Sequence, residues 1–135
     1  MGKARARTQA QVGITLDAGA LIALERGDGR VIAILQRLIA KQGSVRVPAG
    51  VLGQAWRDGA RQAVLGRLLA TPEVSVKPLD QALAKSCGEL CAATTTADVI
   101  DASVILVARQ YGDAILTSDV SDLRCLDPDA RLEAV

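Results

Sequence analysis

The chain has 135 residues, with 16 Lys and Arg against 15 Asp and Glu, for a net charge of +1. This length fits one domain, and with 50% hydrophobic residues it can bury roughly 68–70% of its unfolded surface without disulfides or a structural metal. The absence of histidine excludes the Ser-His-Asp triad, His-ligated zinc and the commonest general base. With no Phe, one Trp and one Tyr, the chain cannot stack several bases in a row on aromatic side chains.

In chain order, residues 1–11 are polar and basic (Lys3, Arg5, Arg7), a tail ahead of a domain expected over 12–135. Val12 to Leu16 is a short apolar run ending at Asp17, the pattern of a buried strand. Ala18 to Arg26 reads as a helix stopped by Gly27. Val31, Ile34, Leu35, Leu38 and Ile39 carry the amphipathic helical period, stopped by Gly43. Val45 to Val47 is a second strand, after which Pro48 can open a helix at its first position. That helix carries Val51, Leu52 and Trp56 and breaks near Gly59, and another is expected from about Ala60 to Ala70. Pro72 and Pro78 bracket a third strand, Val74 to Lys77. Leu79 to about Ala92 and Asp98 to Tyr111 read as helices, Ala114 to Thr117 as a fourth strand and Arg131 to Val135 as a fifth.

Alternation of strands and helices predicts an α/β fold, a parallel central sheet of four to five strands flanked by helices. Right-handed crossovers place every strand's C-terminal end on one edge, where such sheets bind ligands. Cys87, Cys91 and Cys125 lack the spacing of a disulfide framework or zinc site, and the first two, one helical turn apart, are expected as buried small hydrophobes. No secretory signal or long apolar span is visible, so a cytoplasmic location is expected.

The chemistry concentrates in aspartates. Asp17 ends the first strand, Asp119 follows the fourth, Asp122 lies three residues on, and Asp101 sits in the first turn of the helix leading into the fourth strand. If the first and fourth strands are neighbours, these acids meet at one edge. Carboxylates held that close raise one another's pKa, and a divalent cation removes the repulsion. Oxygen ligands from scattered positions suit Mg²⁺ or Mn²⁺, which can activate water and stabilise a phosphodiester under attack without histidine. Each acid taken singly also reads as a turn or cap residue.

The segment Leu16-Asp17-Ala18-Gly19-Ala20-Leu21-Ile22-Ala23-Leu24 resembles the opening motif of PIN domains. Asp101-Ala102-Ser103-Val104 followed by Leu116-Thr117-Ser118-Asp119-Val120-Ser121-Asp122-Leu123 resembles their closing motif. The stretch from Val47 to Gly59, through Gln54 and Trp56-Arg57-Asp58, is similar to the middle segment of actinobacterial VapC-like toxins. The resemblance implies a Mg²⁺- or Mn²⁺-dependent endoribonuclease, the toxin of a type II toxin–antitoxin system, blocked by a cognate antitoxin and usually a homodimer. It implies that Asp17, Asp101 and Asp119 are the metal-binding and catalytic acids, with Asp122 a further acid and Thr117 a hydroxyl beside the site. Gln54 departs from the family, which mostly has glutamate there; this puts metal affinity and a two-metal arrangement in question. Asp98 is at the wrong distance from Asp119 for the motif acid and reads as an N-cap. Glu25, two turns beyond Asp17, reads as an exposed helix end. Arg57 and Arg61 are candidates to contact RNA phosphates, with a solvated helix surface as the alternative.

Two other classes remain open on the residues. One is a catalytically weakened PIN-fold RNA- or protein-binding module, with Gln54 as the mark of decay. The other is a phosphotransfer α/β protein using Asp17; it would need a lysine past a late strand, and none follows Lys85.

Overall fold

The central strand explains the architecture. In β1 (Gly13–Leu16) the side chains of Ile14, Thr15 and Leu16 are all buried, as required of a strand covered on both faces. The computed structural model describes residues 12–135, apart from the side chain of Arg61; the basic positions Lys3, Arg5 and Arg7 lie outside the described residues. After β1 come α1 (Ala18–Glu25), α2 (Gly29–Ala40), β2 (Ser44–Pro48), α3 (Ala49–Ala55), a 3-10 turn (Gly59–Arg61) and α4 (Ala63–Ala70). The chain continues through β3 (Val74–Lys77), α5 (Gln81–Thr94), α6 (Val99–Tyr111), β4 (Ala114–Thr117), α7 (Val120–Leu126) and β5 (Leu132–Ala134).

The five strands form one sheet in the order β3-β2-β1-β4-β5, every pairing parallel. β1 and β4 are neighbours, in register Leu16 with Leu116. Helix α1 packs with α2 and α4, and α5, α6 and α7 pack with one another, as expected when right-handed crossovers cover both faces of a parallel sheet. The core is aliphatic, with Leu16, Leu21, Leu65, Ile105, Ile115, Leu116 and Leu123 fully buried. Truncating any of these to Ala should cost about 2–5 kcal/mol. Cys87 and Cys91 are buried within it and Cys125 is exposed, all as free thiols.

Several expected boundaries move for identifiable reasons. The helix expected from Leu79 starts at Gln81, because the Asp80 carboxylate accepts the Leu83 N–H and caps it. Pro48 closes β2 and stands at the cap of α3 rather than inside it. The helix expected from Ala60 is a 3-10 turn followed by α4. Helix α7 is absent from the sequence reading: it spans only seven residues, and its Asp- and Ser-rich start has the composition of a loop.

A buried polar contact also lies outside the sequence reading. Arg46 on β2 donates from Nη1 to Asp113 Oδ1 at 2.6 Å, and Thr15 Oγ1 donates to Asp113 Oδ2 at 2.9 Å. The Arg46 guanidinium also lies 3.9 Å from the centre of the Tyr111 ring, a favourable cation–π position. This ties β1, β2 and the start of β4 together beneath the end of α6.

Candidate metal centre

The acids gather because three helices begin at the same sheet edge. Asp17 caps α1, its Oδ1 accepting the Ala20 N–H at 2.9 Å. The other oxygen of Asp17 accepts a very short hydrogen bond from Thr117 Oγ1, at the end of the neighbouring β4. Thr117 Oγ1 in turn accepts the Asp119 N–H at 2.7 Å, so one hydroxyl couples the ends of β1 and β4. Asp119 stands at the cap of α7 and Asp122 in its first turn. Asp101 lies in the first turn of α6, whose cap is Asp98, with the Asp98 carboxylate accepting the Asp101 N–H at 2.9 Å. The cap role expected for Asp98 is thus observed. The positive ends of the helix dipoles face these acids and offset part of their repulsion.

Close approach at this edge depends on Gly19. A Cβ on Gly19 would overlap the Ser118 hydroxyl and stand 2.6 Å from the Ser118 Cβ. Only a residue without a side chain lets the first turn of α1 sit against the loop after β4.

Asp101, Asp119 and Asp122 each offer one carboxylate oxygen within 4.8 Å of the others. Asp17 adjoins this trio: it is only 4% exposed, its two oxygens accept from Thr117 and Ala20, and its charge acts on Asp101. Burial pushes the Asp17 carboxyl up, and the Asp119 charge adds to this; the hydrogen bonds from Thr117, Ala20 and the Ser118 backbone only partly counter it. Asp101 is raised from 3.8 to about 7, first by burial and then by Asp98, Asp119, Asp17 and Asp122. Asp122 is also raised, through its hydrogen bond and charge contact with Asp119. The edge is therefore a concentration of negative charge.

This donor set fits a hard divalent ion. It is made only of carboxylate oxygens, and a bound cation would relieve the repulsion that lifts Asp101.

Gln54 is exposed and lines an open cleft of about 640 Å³ with Ile22, Glu25, Arg26, Ala55, Arg57, Asp58 and Gln62. Glu25 is half-buried rather than exposed, because the Gln62 amide donates to it at 3.3 Å. Arg57 donates from Nη1 to the Gly53 and Trp56 carbonyls at 2.8 and 3.0 Å. For Arg61, the side chain lies outside what is described. Sequence reasoning missed Gln62, a buried amide that no motif signals, and Ser118, whose backbone N–H supports Asp17.

A parallel α/β sheet with a carboxylate cluster where β1 and β4 end defines an acid-edged class of domain. The chain belongs to the PIN domain family, whose match covers residues 14–124. Among solved structures, it is similar to VapC20 of Mycobacterium tuberculosis, a sarcin–ricin loop cleaving toxin. That likeness has a TM-score of 0.59 and 24% identity over 81% of this chain and 93% of that one. It is also similar to VapBC2 from Rickettsia felis, bound to a DNA fragment from their promoter, with a TM-score of 0.66 and 14% identity over 92% and 99% of the two chains. FitAcB from Neisseria gonorrhoeae matches with a TM-score of 0.62 and 19% identity over 88% and 95%. At these identities the likenesses establish the fold. Comparison with curated proteins finds no significant match.

Proposed function

We propose that this protein is a divalent-metal-dependent endoribonuclease, the toxin of a type II toxin–antitoxin pair, acting in the cytoplasm as a homodimer and held inactive by a cognate antitoxin. The observation that carries the reading is the carboxylate trio, Asp101, Asp119 and Asp122, with oxygens within 4.8 Å of one another on a PIN domain. VapC20, a sarcin–ricin loop cleaving toxin, and the VapBC and FitAB complexes on DNA share the fold and support the toxin and antitoxin parts. No single helix among the described residues is long and apolar enough to cross a membrane.

In this reading Asp101, Asp119 and Asp122 hold Mg²⁺ or Mn²⁺. Asp17, locked by Thr117, supplies a nearby negative charge. The bound ion would supply an activated water and charge stabilisation on the phosphodiester. The chain's own part is to fix the acids: the Thr117 hydroxyl sets Asp17 and the loop to Asp119, and the Asp98 cap sets the first turn carrying Asp101. The engaged oxygens and burial of Asp17 disfavour a phosphotransfer role, because neither oxygen is presented as a nucleophile.

RNase activity should disappear with a chelator and return with Mg²⁺ or Mn²⁺. Asp101→Asn should abolish cleavage and leave the fold intact, and Asp98→Asn should be mild. Undiminished cleavage in excess chelator would overturn the reading.

A further inference from the structure

Ser118 is held where the acids converge, yet its hydroxyl is uncommitted. It stands between Thr117, which closes β4, and Asp119, which caps α7. The backbone on both sides is fixed. The Ser118 N–H supports the Asp17 carboxylate, the Thr117 hydroxyl accepts the Asp119 N–H at 2.7 Å, and the Asp119 carbonyl accepts the Leu123 N–H at 3.3 Å. Packing fixes the side chain as well. The Ser118 hydroxyl lies where a Cβ on Gly19 would stand, and that point is 3.4 Å from Asp17 Oδ1. Ser118 is nevertheless exposed, and among the described residues its hydroxyl has no hydrogen-bond partner.

The neighbouring groups show what such a hydroxyl can do. Both Asp17 oxygens already accept, from Ala20 and Thr117. Thr117 is fully buried and committed in both directions, donating to Asp17 and accepting from Asp119. Asp101, Asp119 and Asp122 bring only acceptors to the edge when ionised. The non-bridging oxygens of a phosphodiester are acceptors too. A divalent ion among the acids would offset charge but leave some of those oxygens in need of a donor. A neutral donor suits this place. An ammonium or guanidinium beside Asp17 and Asp119 would pair with them and compete with the ion, whereas a hydroxyl adds a donor without changing the charge of the edge.

From this placement we infer that Ser118 contacts the substrate, its hydroxyl donating to a non-bridging oxygen of the phosphodiester held at the acidic edge. The inference rests on the ribonuclease reading and adds a residue that orients the substrate there. Ser118 contributes a hydrogen bond only, and no covalent bond is made or broken on it. A contact to phosphate carries no sequence information directly, so its effect should be the same whatever base adjoins the scissile bond.

The test uses the full-length protein with Ser118→Ala, which deletes the hydroxyl and keeps the Cβ that packs against Gly19. The substrate is a mixed-sequence single-stranded RNA of about twelve nucleotides, a length within the usual range of single-strand sites, with a fluorophore and a quencher at its ends. Cleavage would be measured in Mg²⁺ and in Mn²⁺, and melting temperature with and without each ion. Ser118→Ala should lower kcat/KM roughly 10- to 150-fold, the worth of one hydrogen bond to a charged group. The ion-induced rise in melting temperature should be the same as in the wild type. Ser118→Thr, which keeps the donor, should retain most of the rate. Wild-type kcat/KM in Ser118→Ala would overturn the inference and leave the ribonuclease reading standing. A smaller ion-induced rise in Ser118→Ala would overturn it too, by assigning the hydroxyl to the ion instead of the phosphate. No cleavage by the wild type in either ion would overturn both.

Discussion

Replacing Asp101 by Asn removes one negative charge from the acidic edge and almost no volume, so its effect on stability should follow electrostatics alone. The folded carboxyl stands at about 7 against 3.8 when unperturbed. A folded value above the unfolded one means that protonation favours the fold. The contribution is full below the unfolded value and is lost as pH rises through about 7. A gap of about 3 units sets a ceiling of about 4 kcal/mol at 1.36 kcal/mol per unit. Asp101 is half-buried, and solvent screening reduces this to about 1–2 kcal/mol. In chelator at about pH 8, Asp101→Asn should therefore melt roughly 3–8 °C above the wild type, with the difference closing towards about pH 4. Adding Mg²⁺ should raise the wild type's melting temperature and leave the variant's nearly unchanged, reversing or erasing the order. Thermal melts over a pH series with and without Mg²⁺ test this. A variant less stable than wild type in chelator at alkaline pH would refute it, because Asp101 would then be a structural partner rather than a repelled charge.

Gly19→Ala should push α1 away from Ser118, cost about 1–3 kcal/mol and lower both Mg²⁺-induced stabilisation and cleavage, read by urea melts and an RNase assay. Thr117→Val keeps the volume but removes the donor to Asp17 and the acceptor for the Asp119 N–H; about 1–3 kcal/mol should be lost. Burial would then act on Asp17 without that opposing bond, so the acidic limb of the pH–rate profile should move upward. Asp113→Ala leaves Arg46 buried without its carboxylate and should cost about 3–5 kcal/mol, visible as a shift in denaturation midpoint far from the acids. Asp98→Ala should cost about 1 kcal/mol as a lost helix cap, measured by chemical denaturation; a loss several times larger would mean Asp98 does more than cap α6.

The sequence by itself determined what depends on local pattern. The apolar runs ending at Asp17 and Thr117 are strands because β-branched and aliphatic residues pack on a sheet buried on both faces, and the observed β3 and β4 have the expected bounds. Asp98 is legible as a cap because its side chain can reach an N–H three residues on. Shared strand-end positions, taken with the PIN-like motifs, pointed to the acids as a group. What only the tertiary structure decided is how those groups meet. The β1–β4 pairing joins residues 100 positions apart and lets Thr117 engage Asp17, next to the trio of Asp101, Asp119 and Asp122. Gln54 and Glu25 face a shared cleft only because α1 and α3 pack together and Gln62 inserts between them. The Arg46–Asp113 pair spans β2 and the start of β4. No local period encodes such contacts: they arise when parallel strands and right-handed crossovers bring distant segments to one edge, and burial then makes each polar group find its partner.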